Sequence, residues 1–196
     1  MAIPDSDWEL LLDVVRQMTE TRQLDPLLSY ATEQALDLVG AEQGYLILLN
    51  DDGSLDFRVQ FSSTPTKPPD PASQISESIV RQVLDTGEPL LSANAQTDQR
   101  LGSKASVQGL HIHSIMCLPL ITRGRILGAL YIENRSRQGV FDQNDMRRMR
   151  YFCSQAAVSI ESAMLNDALE TRVKTRNSRL QDANARLRKL LSLIHI

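Results

Sequence analysis

The sequence predicts an α+β domain built on an antiparallel sheet, and three observations carry that prediction. Two strand-turn-strand patterns occur at 44–61 and 114–133, helical periodicity flanks both, and a single helical pattern runs from Phe141 to the end of the chain. Strands joined by short turns pair as antiparallel neighbours without crossover helices, so the helices are left to cover a face of the sheet.

Trp8, Leu11, Leu12, Val15 and Met18 recur at helical spacing, and Leu24, Leu27, Leu28, Ala31, Ala35 and Leu38 do so again. The second helix has Pro26 in its first turn, where no backbone N–H is required, and Gly40 just past its end. Gly44–Leu49 is an unbroken apolar run of strand length, followed by the turn Asn50–Ser54. Leu55, Phe57, Val59 and Phe61 then alternate with Asp56, Arg58 and Gln60. This is a hairpin whose first strand is buried on both faces and whose second is half exposed.

Residues 62–73 carry Pro65, Pro68, Pro69 and Pro71, which forbid both helix and ladder and predict a loop within one domain. Ile75, Ile79, Val80, Val83 and Leu84 mark a third helix stopped by Gly87, and Pro89-Leu90-Leu91 predicts a short strand. Residues 92–108 are small and polar without a sustained period and predict irregular structure. Ser114–Ile121 and Ile126–Glu133 form the second hairpin through Thr122-Arg123-Gly124-Arg125, with Pro119 marking a bulge or an edge. Asp142 is the expected N-cap of the last helix, Asp145 adds negative charge to its first turn, and Phe141 and Met146 stand at hydrophobic-staple positions. One broad face of that helix carries Met149, Phe152, Cys153, Ala156, Ala157, Ile160, Ala163 and Met164.

Beyond Met164 the apolar stripe narrows. Leu169, Val173, Arg176, Leu180, Ala183, Leu187, Leu190 and Ile194 alternate in steps of four and three, the spacing of a helix that shares a seam with another. The expected organisation is an N-terminal helix at 1–22, a globular domain at 23–165 and a coiled-coil linker helix at 166–196. From Glu170 to Lys189 there are seven basic and two acidic residues, a local charge of +5; with a total of −3, the remainder carries −8. No aromatic residue is interleaved for base stacking, so a solvated coiled-coil face is favoured over a nucleic-acid arm. The chain closes on Ser192-Leu193-Ile194-His195-Ile196 without a cap, the ending expected of a segment cut from something longer or terminated early.

Composition narrows the function classes. With 42% hydrophobic and 23% charged residues the chain belongs among folded globular proteins, and 21 basic against 24 acidic residues provide no global attraction to nucleic acid. Its longest apolar runs, Ile115–Ile121 and Ile126–Ile132, are far shorter than the ~20 residues of a membrane span. The acidic N-terminus is unlike an export signal, and Cys117 and Cys153 lie in apolar stretches as free buried thiols would; a cytoplasmic protein is expected.

Catalytic motifs are weak. Neither GxGxxG nor GxxxxGK[ST] occurs, so no glycine-rich loop cradles phosphate. His111 and His113 lie on one side of an extended chain, as two metal ligands would, but no Cys-x-x-Cys or His-Glu pattern completes a set, and satisfied surface or pocket histidines are favoured. His113 and Ser114 are adjacent and point to opposite faces, with no GxSxG elbow, which argues against a hydrolase. Cys117 has no cationic neighbour to favour its thiolate. Glu133 and Asp98 are the acids nearest the strand and pocket elements, and nothing in their spacing pairs them for acid-base work. No enzymatic activity is expected.

Six segments, in order, resemble the GAF domain, a small-molecule- and signal-sensing module of bacterial signal-transduction proteins. They are Ala41–Leu48, Asp85-Thr86-Gly87-Glu88-Pro89-Leu90, Ser114–Leu120, Gly128–Asn134, Phe141–Asp145 and Ser154–Ala163, and the likeness covers roughly residues 24–165. The resemblance implies an antiparallel sheet of five or six strands, with the first and last helices on one face and a ligand pocket on the other beneath the 92–113 loop. Candidate pocket residues are Asn94, Asp98, Arg100, His111, His113 and Tyr131. Of the signature of cyclic-nucleotide-binding members, Asn134, Phe141 and Asp145 match, while Arg135 and Met146 replace lysine and glutamate. The ligand is thus left open between a cyclic nucleotide and another small molecule. No cysteine adjoins His111 or His113, so covalent bilin attachment is not expected, and Cys117 with Cys153 is a poor match to the subgroup that reduces methionine sulfoxide. The tail resembles the helix that joins such sensors to histidine-kinase or diguanylate-cyclase output domains. It implies a homodimer through the N- and C-terminal helices, with neither nucleic acid nor a membrane span involved. The alternative is a dimerisation scaffold with a vestigial, ligand-free pocket.

Overall fold

The computed structural model describes residues 5–62, 75–98, 101 and 111–194. The elements run α1 (Asp5–Glu20), α2 (Leu24–Val39), β1 (Gln43–Leu49), β2 (Leu55–Ser62), α3 (Glu77–Thr86), β3 (Leu90–Ser92), β4 (Ser114–Thr122), β5 (Arg125–Asn134) and α4 (Gln143–Ile194). Of the expected loop at 62–73, Ser62 belongs to β2 and the rest lies outside the described residues, as does most of the 92–108 segment.

Five strands form one antiparallel sheet in the order β2-β1-β5-β4-β3. Side chains of successive strand residues point to opposite faces, and here both faces are covered. Leu46, Leu48, Met116, Leu118, Leu130 and Ile132 meet the helical layer, into which α1 sends Leu11, Val14 and Met18, α2 sends Leu27, Leu28, Ala31 and Ala35, and α4 sends Met149, Phe152, Ala156 and Ile160. Tyr45, Ile47, Ile115, Cys117, Ala129 and Tyr131 point the other way and pack with Ile79, Val80, Val83 and Leu84 of α3. The second face is called distal below. Burial on both faces explains why β1 and β4 read as continuous apolar runs.

Local geometry follows the residue types. Gly40 and Gly87 end α2 and α3 in the left-handed conformation, and each donates its N–H back to its helix, to Leu36 and Val83 respectively. The β4–β5 turn places Arg123 and Gly124 at φ 49° and 77°, the two left-handed residues of a tight hairpin. Pro119 pairs with Ala129 of β5, and β3 reaches only as far as Cys117, so Pro119 stands on a locally open edge beside the register shift at Leu120/Ile121.

Asp142 caps α4: its Oδ1 accepts the N–H groups of Asn144 (2.7 Å) and Asp145 (2.9 Å), while Asp145 Oδ2 accepts the N–H of Asp142 (2.9 Å). These bonds hold the Asp142 carboxyl below its ordinary pKa. Phe141 and Met146, on either side of the cap, are both buried in the helix-side core. Asp142→Ala is expected to lower stability by about 1 kcal/mol, read from denaturant unfolding, because two first-turn donors lose their acceptor. An unchanged midpoint would show that Asp145 suffices.

Candidate functional site

A polar network lies buried on the distal face. Glu133, at the end of β5, follows Ala129 and Tyr131 in the two-residue period and is fully buried. Its Oε2 accepts the Tyr131 hydroxyl at 2.9 Å and its Oε1 accepts Arg135 Nε at 2.6 Å. The Tyr131 oxygen in turn accepts the backbone N–H of Ser76, which immediately precedes α3, at 3.4 Å. Tyr45 packs edge-on against Tyr131 with ring centres 5.9 Å apart; its hydroxyl donates to Gln43 Oε1 (3.0 Å) and accepts from Gln60 Nε2 (3.3 Å). Burial pushes the Glu133 carboxyl above its ordinary pKa, against the opposing pull of Arg135 and the Tyr131 hydroxyl. Burial, then the Glu133 carboxylate, raises both phenols, Tyr45 to about 12 and Tyr131 well above its usual value.

The residues expected to line a pocket divide into two groups. Asn94 and His113 meet through Gln138: Asn94 Nδ2 donates to Gln138 Oε1 at 3.3 Å, and Gln138 Nε2 lies 3.5 Å from His113 Nδ1. Asp98 joins them across a turn, its N–H donating to the Asn94 carbonyl. Asn94 and Asp98 also line an open groove of about 620 Å³ with Ser92, Gly139, Phe141 and Asp142, beside the start of α4. His111 is exposed, at φ 52°, and the residue between the two histidines, Ile112, is buried in the distal core. Tyr131 belongs instead to the Glu133 network, and Arg100 lies outside the described residues.

Gln138, Ser76 and Tyr45 carry no site signal in the sequence, and Arg135 stands out there only as the replacement for the signature lysine. The available signal was parity, since an acid two residues after Tyr131 on a strand buried on both faces must share the tyrosine's face.

The signature-like residues at the β5–α4 connection are held by contacts within the protein. The Asn134 amide, turned so that its nitrogen faces Glu42, donates to both carboxylate oxygens at 2.8 and 3.2 Å. Glu42 also accepts the backbone N–H groups of Arg135 (2.9 Å) and Ser136 (3.2 Å) and the Ser136 hydroxyl. Phe141 fills the helix-side core, and Asp145 caps α4 while pairing with Arg148. The bonds to Glu42 fasten the end of β5 to the loop before β1.

Ser114 Oγ donates to the Ala93 carbonyl at 3.0 Å, and the His113 ring meets Gln138. Cys117 is buried in the distal core and Cys153 in the helical layer, where burial raises the Cys153 thiol pKa. Among the described residues, no group of three or more His, Cys, Asp or Glu side chains converges as metal ligands would, and no helix is long and apolar enough to cross a membrane.

A five-stranded antiparallel sheet, helices from both ends of the chain on one face and a buried polar network on the other define an α+β domain with a single central sheet. The family profile of the GAF domain matches residues 21–161, and the chain belongs to that family. GAF domains are sensory and regulatory modules. Among solved structures, the GAF domain of an Acinetobacter phosphoenolpyruvate-protein phosphotransferase superposes with a TM-score of 0.63 at 17% identity, covering 83% of this chain and 97% of that one. A free methionine-R-sulfoxide reductase from Neisseria meningitidis, solved with its substrate, gives 0.63 at 13% identity, covering 84% and 96%. These likenesses show the fold. In sequence, the chain is 31% identical over 88 residues to hybrid signal transduction histidine kinase G of Dictyostelium discoideum, a stretch covering 45% of this chain and 3% of that protein. It is 29% identical over 96 residues, 48% of the chain, to a probable 3',5'-cyclic phosphodiesterase, pde-5, of Caenorhabditis elegans, and that stretch covers 13% of the relative. The chain thus spans a small part of the relatives it matches.

Proposed function

We propose that this GAF domain is a non-catalytic regulatory unit that binds a small molecule, or registers another signal, on the distal side of its sheet. It passes the change through a dimeric helical linker to an output domain of the kinase or cyclase kind. The observation that carries this reading is α4 itself. Met149, Phe152, Ala156, Ile160 and Ala163 seat its first part in the core against the sheet and α2, and the same helix continues unbroken to Ile194. A helix of 52 residues is about 78 Å long, so a small rotation where it is packed becomes a displacement at its far end. Coupling of about 1 to 3 kcal/mol between two packings would suffice. The proposed ligand contacts are Asn94, Asp98, Arg100, His111, His113 and Tyr131, with the Glu133 network behind Tyr131.

One observation favours a second reading, a dimerisation scaffold with a vestigial pocket. Glu133 accepts from Tyr131 and Arg135, the Tyr45 hydroxyl is satisfied by Gln43 and Gln60, and their sheet neighbours are buried. Native mass spectrometry of the purified chain, followed by thermal unfolding against a panel of small metabolites and nucleotides, separates the two. A sensor retains or gains a ligand, and at a hundredfold excess over Kd that ligand adds about 2.7 kcal/mol of stability. A dimer that carries no adduct and shows no shift with any compound supports the scaffold.

A further inference from the structure

A second opening lies among the helices, away from the Glu133 network. The end of α1 and the stretch of α4 from Val158 to Asn166 part there to leave a cleft of about 160 Å³. Six of its eight lining residues are polar: Thr19, Thr21 and Arg22 at the end of α1, and Ser159, Ser162 and Asn166 of α4; Met18 and Val158 complete it. Ser159, Ser162 and Asn166 are three and four residues apart, so they share one face of the helix. Ser159 is 5% exposed, and its hydroxyl is buried without a hydrogen-bond partner. A helical serine can satisfy itself on the carbonyl four residues back, and Ser159 does not, so a buried donor is left for whatever occupies the cleft.

The rest of the lining fixes the chemistry of the occupant. Thr19 and Thr21 spend their hydroxyl protons on the carbonyls of Arg16 and Gln17, at 2.6 and 2.9 Å. Arg22 stands just past the C-terminal end of α1, where the helix dipole favours a cation, and among the described residues it has no ion-pair or hydrogen-bond partner. No Asp or Glu lines the cleft. A guanidinium beside serine hydroxyls is a donor set for the oxygens of an anion, and the arginine fork matches the edge of a carboxylate or a phosphate. The volume is well below the ~300 Å³ at which sites for drug-sized ligands begin, so the group it takes is small. We propose that this cleft binds a small oxyanion, the carboxylate or phosphate group of a metabolite, between Arg22 and Ser159. The bound group joins the end of α1 to α4 beside Ala163, the last residue that α4 buries in the core. It is an input separate from the distal ligand contacts, and only its effect on an output domain rests on the reading given above.

The test is an NMR titration of the isotope-labelled full chain with sodium phosphate, with sodium succinate, and with sodium chloride at matched ionic strength. Amide shifts at Arg22, Ser159 and Ser162 are expected to saturate at roughly millimolar phosphate or succinate and not with chloride. The tighter of the two oxyanions tells whether phosphate or carboxylate is the preferred group. Arg22→Gln is expected to weaken binding about tenfold, since it removes the charged fork. Ser159→Ala is expected to weaken it several-fold while leaving the melting temperature in oxyanion-free buffer unchanged or higher, because the hydroxyl it removes bonds nothing there. A lower melting temperature of Ser159→Ala in that buffer overturns the proposal: the hydroxyl would then be bonded within the protein or to a fixed water. Chloride acting like phosphate, or binding that Arg22→Gln leaves untouched, overturns it in favour of general charge screening. Shifts confined to Asn94 and His113 place the anion on the distal side, which overturns the cleft and leaves the distal reading standing; no saturable shift with either oxyanion overturns the cleft alone.

Discussion

Gly128→Ala is expected to destabilise the domain by about 3 kcal/mol or more, near the upper end for adding one methyl group to a packed interior. Gly128 stands on β5 opposite Leu48 of β1 on one side and Leu120 of β4 on the other. A Cβ built there lies 2.0 Å from the Ile47 carbonyl oxygen and 2.9 Å from Leu48 Cα. Both are backbone atoms, so no side-chain rotation relieves the clash; β1 and β5 must separate, and they carry the centre of the sheet. Gly44→Ala is the control. Its Cβ would come as close, 2.1 Å, but to the terminal Cδ1 of Leu36, which can turn away, so a cost nearer 1 kcal/mol is expected. Denaturant unfolding of the two variants decides the matter, and for a domain of this size the difference should also appear as a melting temperature lower by several degrees in the Gly128 variant. Equal losses would mean that β1 and β5 do not approach as closely as described.

That Gly128 matters was only partly legible in the sequence. Its segment, Gly128–Asn134, was among those that resemble the GAF family, but periodicity gives no reason for a glycine in a strand. The reason is a backbone approach set by pairing across 80 residues. What depends on local chemistry was legible: the cap at Asp142 with its flanking Phe141 and Met146, the left-handed stops at Gly40 and Gly87, and the two hairpins. Even burial on both faces could be read from the apolar run Tyr45–Leu49. The candidate site was less so, because a site is assembled from elements distant in sequence. The Asn94 and His113 side chains meet through Gln138, a residue with no pattern of its own, and Tyr131 turns toward Glu133. The Asn134, Phe141 and Asp145 positions resemble a ligand signature in one dimension; in three, Asn134 bonds Glu42, Phe141 is buried in the helix-side core and Asp145 caps α4.

Arg135→Ala is expected to cost about 3 to 5 kcal/mol, because it strands a buried carboxylate. Glu133 is fully buried, while the Arg135 side chain, its ion partner, is 25% exposed and can keep part of its hydration. Removing the arginine leaves Tyr131 as the remaining donor to Glu133 among the groups described above. Glu133→Gln alone removes the charge and retains an acceptor for Tyr131, so a loss of about 1 kcal/mol is expected. The double variant should recover much of what Arg135→Ala loses, which a simple packing role for the arginine would not produce. The pH dependence supplies an independent check. Burial raises the folded-state carboxyl above 4.5, so the folded protein binds this proton more tightly than the unfolded chain does. The linked stability is fully present below the unfolded value and is lost as pH rises through the folded one. Unfolding measured across that window should therefore show the Glu133→Gln variant gaining on the wild type as pH increases. Arg135→Ala should move the window to higher pH, since the arginine holds the carboxyl down. If the two single variants kept a constant difference from the wild type at every pH, Glu133 would be ionising with the same ease folded and unfolded, and the distal network would not be the dry, internally paired cluster that its hydrogen bonds describe.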